Sequence, residues 1–156
     1  KGTRMKTPET ARPSAVTPTE VIDALADLHT RTVDALAGYE KMVEKAEPEF
    51  RPVAQQFRDL HSRHAAQLAS LLTSLGASVD ADGSFMATVN RTVVSLRAFF
   101  DEIDEDVMDN IRSGEDHVLR AFESVLASGP TQPYHADLMA MREDLLRLLD
   151  ATRHLD

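Results

Sequence analysis

The chain has 156 residues, 28% of them charged, with no cysteine and no tryptophan. That length supports one domain with a real core, and the missing cysteine excludes disulfides, thiolate metal sites and cysteine nucleophiles. The formal net charge of −9 argues against nucleic acid as a partner, because phosphates demand a basic footprint. No apolar run approaches the ~20 residues of a membrane span.

Alanine, leucine and charged residues are plentiful and aromatics few, a composition that favours helices. Residues 1–16 read as a polar arm, with Lys1, Arg4, Lys6 and Arg12 against Glu9 and no apolar signal segment. A cytoplasmic setting is expected. Residues 17–156 read as a single helical domain. Thr17-Pro18-Thr19-Glu20 has the pattern of a capping box with proline at the first helical position. The first helix then runs to about Ala46 on the seam Val21, Leu25, Leu28, Thr32, Leu36, Tyr39, Val43. Glu47-Pro48-Glu49 makes a short turn, Pro48 suits the start of helix 2, and Gly76 suits a left-handed cap at its end. The second seam is Phe50, Ala54, Phe57, His61, His64, Leu68, Leu71, Leu75.

After a loop at 77–83, Ser84 caps a shorter amphipathic helix over about 85–100. Acidic residues from Asp101 onward open a third long helix, with Val107, Ile111, Gly114, Val118, Ala121 and Val125 inward, to about Ala127. Pro133 opens the last helix, on the seam Tyr134, Leu138, Met141, Leu145, Leu148, Thr152, Leu155. Met86, Met108, Met139 and Met141 read as core filler. Two helical hairpins joined by a long crossover make an all-α, ferritin-like four-helix bundle. No strand pattern appears.

Gly83-Ser84-Phe85-Met86 with Arg91 and Leu96, and Ile111-Arg112-Ser113-Gly114-Glu115-Asp116 with Arg120-Ala121-Phe122, resemble an uncharacterised bacterial family of ferritin-like four-helix bundles. Gly38-Tyr39 and Leu75-Gly76 also fit, and the resemblance covers about Val21 to Ala151. The fold it implies suggests a di-metal site. Such a site uses Glu-x-x-His pairs, which place both ligands on one helix face. No Glu or Asp in this chain has a His three residues on. Leu36 stands where the family pattern implies a carboxylate, and Arg142-Glu143-Asp144 where it implies a histidine.

What remains is His61-x-x-His64, with Glu115 from the third long helix and Glu40 from the first as candidate carboxylates. Two imidazoles three apart can chelate a transition metal such as Zn, Fe or Cu when both turn inward. The competing reading makes them buried histidines satisfied by carboxylates, backbone or water. Glu115 on that reading pairs with Arg63, Arg112 or an inward histidine, and Gly114 lets a neighbouring helix approach closely. Tyr39 reads as a core aromatic with its hydroxyl bonded.

The leading functional expectation is a non-enzymatic bundle with a degenerate metal site and no bound cofactor. It would act as a homo-oligomer, a dimer through Val94 and Phe99, or by binding a protein partner. The alternative is a metal-binding protein or a divergent metal-dependent oxidoreductase using His61, His64 and Glu115. A third class, a small-ligand carrier, predicts an apolar cavity near Phe57, Phe122 and Tyr39.

Overall fold

The computed structural model describes residues 18–77, 107–128 and 134–155. The arm at 1–16, the expected cap Thr17, the crossover helix at 85–100 with its suggested dimer face, and Pro133 lie outside the described residues. Four helices fill the described chain: α1, Pro18–Lys45; α2, Arg51–Ser74; α3, Met108–Ala127; and α4, His135–Ala151. There is no strand among the described residues.

α1 begins at Pro18 with Glu20 in its first turn and ends with Lys45 in its last, both complementing the helix dipole. The turn into α2 is tighter at its end than expected. Glu47 O accepts from Phe50 N at 3.0 Å and Arg51 N at 2.9 Å, so Pro48 lies in the turn. α2 itself starts at Arg51, with Pro52 in its first turn. The Arg51 side chain donates back to Val43 O at 3.2 Å and Ala46 O at 2.7 Å. These are carbonyls that the last turn of α1 leaves open, so one residue caps α1 and opens α2. At the other end of α2, Gly76 has φ +86°. Ala77 N donates to Leu72 O and Gly76 N to Thr73 O, the paired bonds of a Schellman cap. Arg112 of α3 performs a similar service for α4, donating to the carbonyls of Thr152, Arg153 and Leu155 beyond its C-terminus.

The helices close a ring. α1 packs on α2 and α3, and α4 packs on α2 and α3. α1 and α4, and likewise α2 and α3, are diagonal partners with no backbone approach between them among the described residues. This is the layout of a four-helix bundle. Leu25, Leu28, Phe57, Leu68, Met108, Phe122, Leu138 and Leu145 are fully buried at its centre.

The buried stripes drift from the expected seams. In α1, Val33 and Met42 are buried while Leu36 and Val43 are half-exposed; in α2, Leu72 is buried while Leu71 and Leu75 are half-exposed. Alternating steps of four and three average 3.5 residues, whereas a straight helix turns every 3.6, so a strict seam rotates by ~20° per heptad. Met108 and Met141 are core residues, but Met139 is 39% exposed on the outer face of α4.

Gly114 also departs from expectation. It is exposed, and a Cβ built there meets nothing within 4 Å. No helix is packed against it among the described residues. Gly114→Ala is therefore expected to raise the unfolding free energy by about 1 kcal/mol through helix propensity alone. Urea unfolding followed by circular dichroism checks this, and a destabilised variant would mean that the space is filled.

Candidate functional site

Three helices place polar side chains at one level of the bundle. Tyr39 comes from α1, His61 and His64 from α2, and Glu115 from α3. His61 is 0% exposed, and His64 and Glu115 are each 1% exposed. Spacing explains the α2 contribution. His61 lies four residues after Phe57, and His64 lies four before Leu68, so both project with those fully buried side chains.

Glu115 Oε2 is the junction. It accepts a hydrogen bond from the Tyr39 hydroxyl and lies 2.7 Å from His61 Nε2. A carboxylate oxygen accepts, so His61 donates through Nε2. The arrangement also holds the Tyr39 proton in place. Burial pushes the Tyr39 hydroxyl well above its ordinary range, and the adjacent Glu115 carboxylate pushes it further in the same direction.

His64 goes elsewhere. Its Nε2 lies 3.5 Å from Asp144 Oδ2 of α4, a contact at the edge of hydrogen-bonding range. Burial lowers the His64 imidazole to about 4, despite the opposing pull of Asp144. It is therefore neutral near pH 7. The rings of His61 and His64 stand edge-on, 6.4 Å apart at 88°. Tyr39 stacks on Phe57 at 5.2 Å and on His61 at 5.5 Å, and His64 meets Phe122 edge-on at 6.3 Å. A line of rings thus crosses the core from Phe57 to Phe122.

His61 and Glu115 are brought together as the sequence suggests; His64 is beside them but aimed at Asp144. Glu40 is exposed and does not reach the core. It is separated from buried Tyr39 by one residue, a rotation of about 100° around the helix. Glu115 bonds to neither Arg63 nor Arg112; the latter is engaged with Asp109 and the α4 carbonyls. Among the described residues, no group of three or more His, Asp or Glu is disposed to hold a metal ion. His61, His64 and Glu115 do not fit a preformed di-metal centre. Three of their atoms are nevertheless buried without a hydrogen-bond partner: His61 Nδ1, His64 Nδ1 and Glu115 Oε1.

Asp144 is a partner of His64 that helical spacing alone does not single out. Its signal was position: it lies three residues after buried Met141 and beside buried Leu145, on the flank of the inward stripe. His29 is a third buried histidine, one that the seams did not mark, and burial lowers its pKa too.

A cleft of about 400 Å³ opens between α1 and α3. Its walls include Ala35, Met42, Val107, Ile111 and Val118, and Tyr39 and Glu115 also line it. It reaches Tyr39 as a carrier cavity would, but Phe57 and Phe122 are not on its lining. No described helix is long and apolar enough to cross a membrane.

These features define an all-helical four-helix bundle with a buried Tyr-Glu-His network at its centre. Residues 20–128 match the model of a family described as "Domain of unknown function (DUF2383)", and the chain belongs to that family. The match includes Tyr39, His61, His64 and Glu115 but ends before α4, so Asp144 lies beyond it. No curated protein and no solved structure matches the chain.

Two outcomes follow. Tyr39→Phe removes one of two donors to a buried carboxylate and is expected to cost about 1.5–3 kcal/mol of unfolding free energy, read by urea denaturation. A depressed histidine pKa stabilises the folded state above the unfolded value near 6.5, and that stability is lost as pH falls toward about 4. At pH 5 His64 accounts for a loss of about 2 kcal/mol relative to pH 7, with His29 acting in the same sense. His64→Phe should unfold with a visibly flatter pH dependence over that window. An unchanged slope would show that His64 is not the titrating group.

Proposed function

We propose that this chain is a ferritin-like bundle that carries out no chemistry of its own. Its metal site is degenerate, and it acts by binding, to itself as a dimer or to a protein partner, within a reducing compartment such as the bacterial cytoplasm. The observation that carries this reading is the bonding of Glu115. One carboxylate oxygen holds both Tyr39 and His61, while His64 is turned to Asp144. The core's polar groups bond mainly to one another, and buried groups so paired stabilise one arrangement of the helices. The absence of Glu-x-x-His pairs and of cysteine supports the same reading.

A second reading is favoured by a specific observation. His61 Nδ1, His64 Nδ1 and Glu115 Oε1 are three buried atoms without hydrogen-bond partners. Neutral imidazole and carboxylate are the donor types that Zn, Fe or Cu accept. A metal-binding protein or metal-dependent oxidoreductase would use those three residues, after rotation of His64 away from Asp144.

One preparation separates the two. Protein purified without chelator or affinity tag is expected to contain only sub-stoichiometric metal by elemental analysis, and to sediment as a concentration-dependent dimer. Stoichiometric metal that disappears in both His61→Ala and His64→Ala would overturn the first reading in favour of the second. A metal-free protein that stays monomeric at high concentration would remove self-association and leave partner binding.

A further inference from the structure

The cleft between α1 and α3 is not used by the reading above, and it has features that the packing of the bundle does not explain. Its volume of about 400 Å³ lies within the usual range of small-molecule sites, ~300–1,000 Å³. Gly114 lies on its lining with nothing within 4 Å of a built Cβ. A glycine inside a helix costs about 1 kcal/mol relative to alanine, and no close helix approach offsets that cost here. Its effect is to keep the wall of the cleft bare.

Glu115 also lines the cleft, and it is 1% exposed. Oε2 is occupied by Tyr39 and His61, but Oε1 has no hydrogen-bond partner. A buried carboxylate oxygen without a donor carries a desolvation penalty that a bound donor removes. Charge selects the kind of donor. Asp34 is a second carboxylate on the lining. Arg31 is also there, but its guanidinium is bonded to Asp27 at 3.0 Å. The apolar walls fit a hydrocarbon, and the Glu115 carboxylate on the lining fits a cation.

We propose that the cleft between α1 and α3 binds a small amphiphilic amine, with its ammonium group donating to Glu115 Oε1 and its hydrocarbon lying along Ala35, Met42, Ile111 and the bare surface of Gly114. This site stands independently of whether the bundle dimerises. It uses the Glu115 oxygen that Tyr39 and His61 do not bond.

The test uses the full chain, stripped of metal, with n-octylammonium, 1-octanol and octanoate as probes. Isothermal calorimetry gives affinity, and amide nuclear magnetic resonance shifts at Gly38 and Gly114 give location. Octylammonium is expected to bind about tenfold or more tightly than octanol, the difference between a charged and a neutral hydrogen bond in a dry site. Octanoate is expected not to bind. Glu115→Gln should bring octylammonium down to the octanol level. Gly114→Leu, which fills the cleft without touching the core network, should abolish both. Equal affinity for octanol and octylammonium would overturn the ammonium assignment. Absence of binding, or binding that survives Gly114→Leu, would overturn the site itself. If Glu115→Gln fails to fold, the Gly114→Leu result and the probe series still decide.

Discussion

The bond on which the structure depends runs diagonally through the middle of the bundle. α2 and α3 have no backbone approach to each other among the described residues, yet His61 and Glu115 meet at 2.7 Å. Tyr39 of α1 reaches the same carboxylate oxygen. Placing a carboxylate in a protein interior costs several kcal/mol unless donors replace its water. Here two donors from two other helices supply that replacement. The helices must therefore sit in the one register that brings all three groups together. Sliding α2 by a turn would leave Glu115 with a single donor and His61 with none of its present partners.

Packing and hydrogen bonding reinforce each other at this level. The Tyr39 ring that bonds its hydroxyl to Glu115 is nearly parallel to both Phe57 and His61, at interplanar angles of 18° and 6°. Stacking fixes the ring plane, and the carboxylate fixes rotation within it. His64 is held differently, edge-on to both His61 and Phe122, with Asp144 at the limit of hydrogen bonding. Burial there outweighs the pull of Asp144 and lowers the His64 imidazole. The core thus contains one tightly bonded polar cluster and one loosely bonded histidine beside it. Away from the centre, Arg51 and Arg112 bind the open carbonyls at the C-terminal ends of α1 and α4. Surface pairs such as Arg142 with Glu123 at 3.1 Å contribute little by comparison.

Glu115 also has two faces. Oε2 belongs to the core network, and the residue lines the cleft toward α1. Gly114, next to it in sequence, is exposed on that cleft. Adjacent residues in a helix point about 100° apart, so a Gly-Glu pair can open a surface and set a buried charge just beneath it.

Sequence alone marks the four described helices and some of their ends, though α2 starts at Arg51 and not at Pro48. Apolar recurrence near 3.6 residues, the Pro18 start and the Gly76 stop are local effects of backbone geometry, and the described helices follow them. It also determined that His61 and His64 are buried, because both fall on the inward seam of the second helix; the seam expected for the third long helix ran through Gly114, whereas Glu115 is the buried residue. The tertiary structure decided the partners. Helical spacing gives the direction of a side chain from its own axis, but not which side chain from another helix arrives opposite it. So Glu115 meets Tyr39 and His61 instead of Arg63 or Arg112, His64 meets Asp144, and Glu40 stays outside. Gly114 faces a cleft for the same reason: how closely two helices approach depends on the whole bundle, which no single stretch of sequence contains.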